Sequence, residues 1–321
     1  MKKIVAVQPI HPKGMEILQA GGRVVIPSGI SDEEVIEAAR DADALIVRLT
    51  KVSASLINAI PSLKVIGRNG VGVDNVDVKT ASARGIAVIN TPGTNSNSVA
   101  EYIISAFMFL HKKLVEFDQC VRKGEWQLRD RYKGVDLQGK TIGIVGLGQI
   151  GSIVAQKCIV GLGMRVLVYD PFIPRDYAVQ NGAAAVEDLN TLLAESDVVS
   201  LNIPFTPETK GLLNSQRLRS MRRGAVLVNA SRGGIIDEPA LAEVLMDGHL
   251  GGAALDVFGE EPPASDNPLW KAPNLLVTPH IAGLTEDAAE RTSETMAKDV
   301  VAVLRGEKPV NLYNREIFSE V

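Results

Sequence analysis

The sequence is poor in cysteine, in aromatic side chains and in blocks of like charge. Two cysteines in 321 residues, Cys120 and Cys158, are too few for a disulfide framework, and no paired spacing typical of metal ligands accompanies them. Both lie in helix-like, largely apolar segments, which favours buried free thiols. Aromatic residues make up 4% of the chain, and its net charge of −4 includes no basic block. This charge pattern argues against a nucleic-acid partner.

Long apolar runs are also missing. No stretch approaches the roughly 20 apolar residues that cross a membrane, so no membrane partner is expected. Met1–Val7 predicts a short strand and lacks the apolar core and cleavage site of a signal peptide. Together with the cysteine content, these absences predict a soluble, cytoplasmic protein that holds no metal.

The most specific motif begins at residue 141. Thr141–Val145 predicts a strand, Gly146, Gly148 and Gly151 lie in a turn that opens a helix, and Asp170 ends the next predicted strand nineteen residues later. The first glycine permits a tight turn, the second permits a pyrophosphate to approach, and the third permits close helix packing. The helix N-terminus attracts phosphate, and the acid accepts ribose hydroxyls and repels a 2′-phosphate. The motif predicts a site for NAD in preference to NADP.

The length and the order of predicted elements indicate two α/β domains. A chain of 321 residues exceeds what one hydrophobic core usually accommodates. Short apolar strands alternate with helical segments in both halves, as in parallel sheets covered on both faces. The predicted strands are Ile4–Val7, Arg23–Ile26, Ala44–Leu49, Leu63–Gly67, Ile86–Asn90, Thr141–Val145, Arg165–Tyr169, Val198–Ile203, Ala225–Asn229, Gly252–Val257 and Leu275–Val277.

Two helical segments place the domain boundaries. Asn95–Glu101 is a polar turn leading into a long predicted helix that ends near Lys123, and Leu284–Arg305 is predicted to return the chain to the first sheet. The first domain is therefore expected to be discontinuous, residues 1–97 and 285–321, with a dinucleotide-binding domain of residues 98–284 inserted in it. This topology predicts a ligand cleft between the two sheets.

Three polar residues follow predicted strands of the second half: Arg232, Glu261 and His280. Because parallel strands end at one edge of a sheet, we expect these side chains to converge. An arginine grips the carboxylate and carbonyl of a 2-oxo acid, and a histidine oriented by a carboxylate exchanges a proton near neutral pH. Added to a nicotinamide, they predict carbonyl–alcohol exchange. Each residue alone also has a structural interpretation, as a turn brace, a solvated loop carboxylate or a core histidine.

In combination, these motifs resemble those of the D-2-hydroxyacid dehydrogenase family over nearly the whole chain. The matching segments are Gly67–Asp77, Asn97–Glu101, Gly143–Gly151, Asn229–Glu238, Gly252–Pro262 and Pro279–His280. The resemblance implies an α/β fold of two doubly wound parallel-sheet domains, a Rossmann-type NAD domain inserted into a flavodoxin-like substrate domain. It also implies a homodimer through the NAD domains, and a catalytic set of Arg232, Glu261 and His280 in which Glu261, not Glu260, partners the histidine.

Further site residues are assigned by position in this resemblance. Asn69, Gly70, Val71 and Gly72 would present backbone N–H groups to a substrate carboxylate. Asp256 would hydrogen-bond the nicotinamide amide, the structural alternative being a helix cap. The other expected cofactor contacts are Gln149, Ile150, Ile203, Pro204, Thr209, Ala230, Ser231 and Gly283.

The substrate side resembles that of phosphoglycerate dehydrogenases. In the matching segments, Ile46–Val52 and Val65–Gly72, Arg48 and Arg68 would bind a C3 phosphate, the alternative being ion pairs at strand ends. The first hypothesis is therefore interconversion of 3-phosphoglycerate and 3-phosphohydroxypyruvate in serine biosynthesis. Reduction of hydroxypyruvate or glyoxylate, and oxidation of a C3-sulfonated lactate, stay open. Because the chain stops at Val321 without a regulatory domain, serine feedback is not expected.

A hypothesis from another class also stays open. Corepressor-like proteins of this architecture act as NAD-sensing scaffolds and resemble the dehydrogenases even at the catalytic positions. The chain lacks the long disordered tails typical of such scaffolds, which favours the enzyme.

Overall fold

The computed structural model describes residues 1–131 and 133–318, and the chain separates into two compact units. Unit 1 consists of Met1–Asn95 and Leu284–Val321, and unit 2 consists of Ser96–Gly283. The expected boundaries, after residues 97 and 284, lie two residues and one residue further along the chain than these. Unit 1 is thus discontinuous in sequence, with unit 2 inserted in it.

Unit 1 is built on a parallel sheet of five strands in the order β2-β1-β3-β4-β5. The strands are β1 (Lys3–Ala6), β2 (Arg23–Val25), β3 (Ala44–Val47), β4 (Val65–Arg68) and β5 (Ala87–Ile89). With numbering in chain order through the whole molecule, the helices are α1 (Pro12–Gly21), α2 (Asp32–Ala39), α3 (Ala54–Asn58), α4 (Val78–Ala83) and α12 (Glu286–Leu304). A 3-10 helix follows at Arg315–Phe318.

The central strands of this sheet are apolar on both faces because helices cover both. Alternate residues belong to separate apolar clusters, Val5 and Leu45 on one face, Ile4 and Ile46 on the other. Helices α2, α3 and α4 cover the first face, and α1 and α12 cover the second. The helix predicted for Leu284–Arg305 is therefore confirmed, and it does return the chain to the first sheet.

Unit 2 carries a parallel sheet of seven strands in the order β12-β11-β10-β9-β6-β7-β8. The strands are β6 (Thr141–Val145), β7 (Arg165–Tyr169), β8 (Ala184–Ala185), β9 (Val198–Leu201), β10 (Val226–Asn229), β11 (Gly252–Leu255) and β12 (Leu275–Val277). The helices are α5 (Ser96–His111), α6 (Leu114–Arg122), α7 (Gln149–Leu162), α8 (Arg175–Gln180), α9 (Leu189–Glu195), α10 (Ser215–Ser220) and α11 (Glu238–Met246). Trp126–Asp130 and Pro268–Lys271 form 3-10 helices.

The strand order of unit 2 places the glycine motif at a topological switch point. From β6 the chain builds outward through β7 and β8, and then returns to add β9 on the other side of β6. The adjoining loops diverge there, leaving a crevice at the carboxyl ends of the strands in which open α/β sheets bind ligands. Both sheets are wholly parallel, so the predicted fold class of two doubly wound parallel-sheet domains is confirmed.

The single long helix predicted after Asn95 is wrong, because the structure has two helices, α5 and α6. Lys113 between them adopts a left-handed conformation with φ of 52°, which ends a right-handed helix. The backbone N–H of Val135 donates to the carbonyl oxygen of His111 at 2.9 Å, and so takes the acceptor that a continuous helix would use. The break thus depends on a contact with a distant segment of the chain.

Both cysteines are buried and free, as the sequence predicts. Burial raises the pKa of the Cys158 thiol to about 12, which keeps it protonated and unreactive. Over the described ranges, no helix is both long and apolar enough to span a bilayer.

Candidate active site

The glycine turn after β6 is shaped for a dinucleotide. Gly146 adopts φ of 90°, and a Cβ there would lie 2.6 Å from the carbonyl oxygen of Asn202. A Cβ on Gly151 would collide with the carbonyl oxygen of Gly146, so the fold itself requires both of these glycines. A Cβ on Gly148 would meet no protein atom within 4 Å. The open space beside Gly148 is what the approach of a pyrophosphate needs, and α7 begins there without a side-chain cap.

Asp170 lies beside this turn, at the end of β7. One of its carboxylate oxygens accepts the backbone N–H of Leu147 at 2.9 Å, and the other accepts that of Phe172 at 2.9 Å. These contacts hold the acid against the glycine turn, and each carboxylate oxygen keeps further acceptor positions. The turn and the acid therefore fit the pyrophosphate and the adenosine ribose of NAD.

The other expected cofactor contacts lie on the same edge of the sheet or in the first turn of α7. Ser96 donates to the side chain of Gln149 at 3.3 Å, and Ile150 follows it in the helix. The hydroxyl of Thr209 donates to the carbonyl oxygen of Pro204 at 2.8 Å, which closes the loop after β9. The rest follow β9, β10 and β12: Ile203, Ala230, Ser231 and Gly283.

Arg232 lies in a turn after β10 that the buried side chain of Asn229 organises. This side chain donates to the carbonyl oxygen of Arg232 at 2.8 Å and accepts the backbone N–H of Ser231 at 3.1 Å. A Cβ on Gly233 would overlap the backbone of Phe258, so this turn passes directly against the segment that precedes Glu261. The structure therefore places the Arg232 and Glu261 loops side by side, as expected from adjacent strands β10 and β11.

His280 and Glu261 form a hydrogen-bonded pair. Nδ1 of His280 lies 2.8 Å from Oε2 of Glu261, and Oε1 of the glutamate accepts the backbone N–H of Phe258 at 3.1 Å. The imidazole is thereby oriented through Nδ1, which leaves Nε2 as the nitrogen for proton exchange. The two side chains are 53% and 38% exposed, so a ligand can reach them. The expected pairing of Glu261 with His280 is present.

Asp256 organises the loop that carries His280. Its carboxylate is almost fully buried, and it accepts the hydroxyl of Thr278 at 2.6 Å and the backbone N–H groups of Ile281 and Ala282 at 2.8 Å each. These contacts hold His280 in a left-handed conformation with φ of 55°. The structural role of Asp256 is thus to shape this loop, and its expected contact with the nicotinamide stays a prediction.

In unit 1, Arg48 and Arg68 lie at the carboxyl ends of adjacent strands. Arg68 is the last residue of β4 and pairs in register with Val47 of β3, which Arg48 follows directly. A Cβ on Gly70 would coincide with the guanidinium of Arg68, so this side chain folds back over the glycine. Gly70 itself has φ of 153°, a conformation that other residues rarely adopt.

The structure reduces the number of backbone N–H groups in residues 69 to 72 that could donate to a substrate carboxylate. The N–H of Asn69 donates to Val47 at 2.8 Å, and that of Gly70 donates to Arg68 at 2.9 Å. Both groups are engaged within unit 1, so the expected backbone donors to a substrate carboxylate are those of Val71 and Gly72. Asn69 has a buried side-chain oxygen for which the described residues supply no hydrogen bond.

Four residues of the site regions were missed in the sequence. Tyr102 and Thr278 share a hydrogen bond of 2.6 Å in unit 2. In unit 1, Gln8 and Asn75 contact the loop that begins at Arg48. Gln8 comes two residues after β1 and Arg48 comes directly after β3, so the same strand-end rule would have singled out Gln8. Among the residues that the structure covers, no group of three or more His, Cys, Asp or Glu is arranged to hold a metal ion.

Comparisons with known proteins agree with this geometry. The family model "D-isomer specific 2-hydroxyacid dehydrogenase, NAD binding domain" matches residues 104–282, more than half of the chain. The chain is 41% identical over 315 residues to the D-3-phosphoglycerate dehydrogenase of Methanocaldococcus jannaschii, covering 98% of this chain and 60% of that protein. It is 40% identical over 291 residues to the glyoxylate reductase of Korarchaeum cryptofilum, covering 89% and 87%.

The chain thus spans about three fifths of the length of the phosphoglycerate dehydrogenase it matches. Among solved structures, the D-lactate dehydrogenase of Aquifex aeolicus complexed with NAD and lactic acid has a TM-score of 0.86 at 29% identity. That superposition covers 98% of this chain and 99% of the other.

Proposed function

Because this chain belongs to the D-isomer-specific 2-hydroxyacid dehydrogenase family, we propose that it interconverts a D-2-hydroxy acid and its 2-oxo acid with NAD. The observation that carries the proposal is the 2.8 Å contact of His280 with Glu261 on the strand edge that carries the glycine turn. Bound NAD supplies or accepts the hydride at C2 of the substrate. The chain's own residues then bind the acid, orient it and move one proton.

His280 is the acid–base group in this proposal. In the direction of reduction, the protonated imidazole donates from Nε2 to the carbonyl oxygen of the 2-oxo acid; in oxidation, the neutral imidazole accepts the proton of the hydroxyl group. Glu261 stabilises the charged imidazole and fixes its ring orientation through Nδ1. Arg232 binds the carboxylate and the carbonyl oxygen, and so places C2 for transfer.

The proposed substrate pair is 3-phosphoglycerate and 3-phosphohydroxypyruvate, the chemistry of serine biosynthesis. Arg48 directly follows β3 and Arg68 ends the neighbouring strand β4, so this strand edge carries two cations that suit a phosphate at C3. Similarity to a phosphoglycerate dehydrogenase supports this choice. Similarity to a glyoxylate reductase over 87% of its length favours a second candidate, reduction of glyoxylate or hydroxypyruvate. This reaction needs a contact to the substrate carboxylate but no cation at C3.

A homodimer through unit 2, in the cytoplasm, completes the proposal. Support for the dimer comes from exposed large apolar side chains in the chain segment that joins α5 to β6. In this segment Leu114 is 50%, Val121 58% and Trp126 63% exposed. Light scattering of the purified protein tests this part. A mass of twice 34.3 kDa is expected, and a monomer would contradict it.

The substrate is tested by following NADH oxidation with 3-phosphohydroxypyruvate, hydroxypyruvate and glyoxylate under identical conditions. A kcat/KM at least about tenfold higher for the phosphorylated acid is expected, since a desolvated charge-assisted contact contributes about 1.5–3 kcal/mol. Chiral analysis of the product formed from 3-phosphohydroxypyruvate or hydroxypyruvate is expected to give the D isomer. Equal kcat/KM values for all three acids would replace the phosphoglycerate assignment with the general reductase. No turnover of any 2-oxo acid would contradict the enzyme itself.

A further inference from the structure

The loop that follows β3 is held by two polar side chains that have no role in the proposed reaction. Residues Arg48, Leu49 and Thr50 leave the sheet between β1 and β4. On one side lies Gln8, which comes just after β1, and on the other lies Asn75. The side chains of Gln8 and Asn75 are called here the Arg48 brace, and residues Arg48, Leu49 and Thr50 are called the Arg48 loop.

Gln8 binds the backbone N–H groups of the Arg48 loop. Its side-chain oxygen accepts the backbone N–H groups of Leu49 at 2.8 Å and of Arg48 and Thr50 at 3.3 Å each. Three consecutive amides therefore point at one oxygen atom, which fixes the backbone curvature of the loop. Register explains the position: Ala6 pairs with Ile46, so Gln8 and Arg48 lie opposite each other two residues further on.

Asn75 organises the carbonyl groups of the same loop. Its side-chain nitrogen donates to the carbonyl oxygen of Thr50 at 2.8 Å and to that of Arg48 at 3.4 Å. Together, Gln8 and Asn75 bind all three N–H groups and two of the three carbonyl groups of this loop. Since Arg48 is the first residue of the loop, the direction in which its side chain leaves the backbone is set by these contacts.

The Arg48 loop would be attached to unit 1 even without the hydrogen bonds of Gln8 and Asn75. Immediately downstream, Val52 donates its N–H to Asn75 at 2.7 Å and accepts the N–H of Asp77 at 2.9 Å through backbone groups alone. Upstream, β3 is buried and paired on both sides. What Gln8 adds is the conformation of Arg48, Leu49 and Thr50, which lie between these two anchored ends. Leu49 at the middle is 69% exposed, so little apolar packing fixes it otherwise.

We infer that Gln8 is a specificity-determining positioning residue that aims Arg48 at the second anionic group of the substrate. The inference rests on the proposed function, since it takes Arg48 as the group that binds a phosphate or a similar anion at C3. It adds that selection of a doubly charged acid over a singly charged one depends on a neutral side chain that does not touch the substrate.

The test compares Gln8→Leu with the wild-type protein and with Gln19→Leu, which makes the same change at an exposed position of α1. KM and kcat are measured with 3-phosphohydroxypyruvate and with glyoxylate at saturating NADH. Loss of the shared acceptor is expected to raise KM for the phosphorylated acid about tenfold, because three partly buried N–H groups lose their hydrogen-bond partner. Values of kcat, and KM for glyoxylate, are expected to stay within about twofold, and Gln19→Leu to behave as wild type.

Hydrogen exchange of the peptide around residues 45–52 gives a readout that does not depend on activity. Amides of this peptide are expected to exchange faster in Gln8→Leu, and Gln8→Glu, which keeps an acceptor of the same length, is expected to restore protection. Unchanged exchange in Gln8→Leu, or equal rises in KM for both acids, would overturn the inference.

Failure of the proposed substrate is read separately, in the wild-type protein. If that protein has no preference for the phosphorylated acid, the phosphoglycerate assignment fails. If it has the preference and Gln8→Leu keeps it, only the role of Gln8 is contradicted.

Discussion

Units 1 and 2 both place polar side chains at the carboxyl ends of parallel strands, but they hold these side chains in different ways. In unit 2, carboxylates hold the histidine: Glu261 bonds to the side chain of His280 itself, and the buried carboxylate of Asp256 accepts backbone N–H groups of the loop that carries it. In unit 1, neutral amides of Gln8 and Asn75 hold the backbone from which Arg48 extends. Proton transfer tolerates little displacement, whereas recognition of an anion depends on where a long cationic side chain is aimed.

Under the proposed function, this difference corresponds to separate tasks for the two units. Changes in unit 2 are expected to lower turnover for every 2-oxo acid, and changes in unit 1 are expected to alter which acid is preferred. The following variants test that division in order of decreasing effect.

His280→Gln is expected to have the largest effect. Glutamine retains a polar group but provides no acid–base group, so kcat should fall by about 10²–10⁴-fold, and the corresponding limb of the pH–rate profile should disappear. NAD binding, measured by titration, should stay near the wild-type value. The control is His249→Gln, since His249 precedes β11 at the opposite end of the strand from the candidate site. Activity of His280→Gln close to wild type would remove this residue from the mechanism.

Arg232→Ala is expected to lower kcat/KM by about 10²–10³-fold through lost positioning and charge stabilisation. The loss should be similar for 3-phosphohydroxypyruvate and glyoxylate, because both carry the carboxylate that this arginine is proposed to bind. Arg219→Ala serves as the control, since Arg219 pairs with Asp247 on the surface of unit 2. A large loss with one acid and none with the other would move Arg232 to the selective part of the site.

Arg48→Leu is expected to raise KM for 3-phosphohydroxypyruvate by about 10–100-fold, which corresponds to the loss of one charge-assisted contact. For glyoxylate, a two-carbon acid without a C3, KM should change less than about twofold. Arg40→Leu removes an exposed arginine of unit 1 at the end of α2 and controls for net charge. An unchanged KM in Arg48→Leu would return Arg48 to the structural interpretation.

Asp170→Asn is expected to have the smallest effect, lowering the preference for NAD over NADP about tenfold. Asparagine keeps an acceptor next to the N–H of Leu147 and removes the charge that repels a 2′-phosphate, so the glycine turn should be preserved. Ratios of kcat/KM with NADH and NADPH measure the effect. A preference that does not change would show that the acid faces elsewhere when the cofactor is bound.

The sequence predicts best what neighbouring residues determine. The glycine turn, β7 and Asp170 follow from one local pattern, and the two buried cysteines follow from their apolar surroundings. The pairing of Glu261 with His280 came from family resemblance, because nineteen residues separate them and no local pattern joins them.

Distant contacts account for what the sequence could not show. The break between α5 and α6 depends on Val135, which takes the carbonyl of His111 from 24 residues away. Contacts of Gln8 with the Arg48 loop cross about 40 residues and exist only because β1 and β3 are neighbours in the sheet. Asp256 was expected to face the cofactor, and its hydrogen bonds to the histidine loop become visible only when the carboxyl ends of β11 and β12 are side by side.

The division of tasks is tested most directly by one ratio, kcat/KM for 3-phosphohydroxypyruvate over kcat/KM for hydroxypyruvate, measured in the wild-type protein, His280→Gln and Arg48→Leu. These two acids differ only in the phosphate at C3. His280→Gln is expected to lower both values and to leave the ratio within about twofold of wild type, whereas Arg48→Leu is expected to lower the ratio by about tenfold or more. A ratio that collapses in His280→Gln, or one that survives in Arg48→Leu, would contradict the separation of chemistry and selection between the two units.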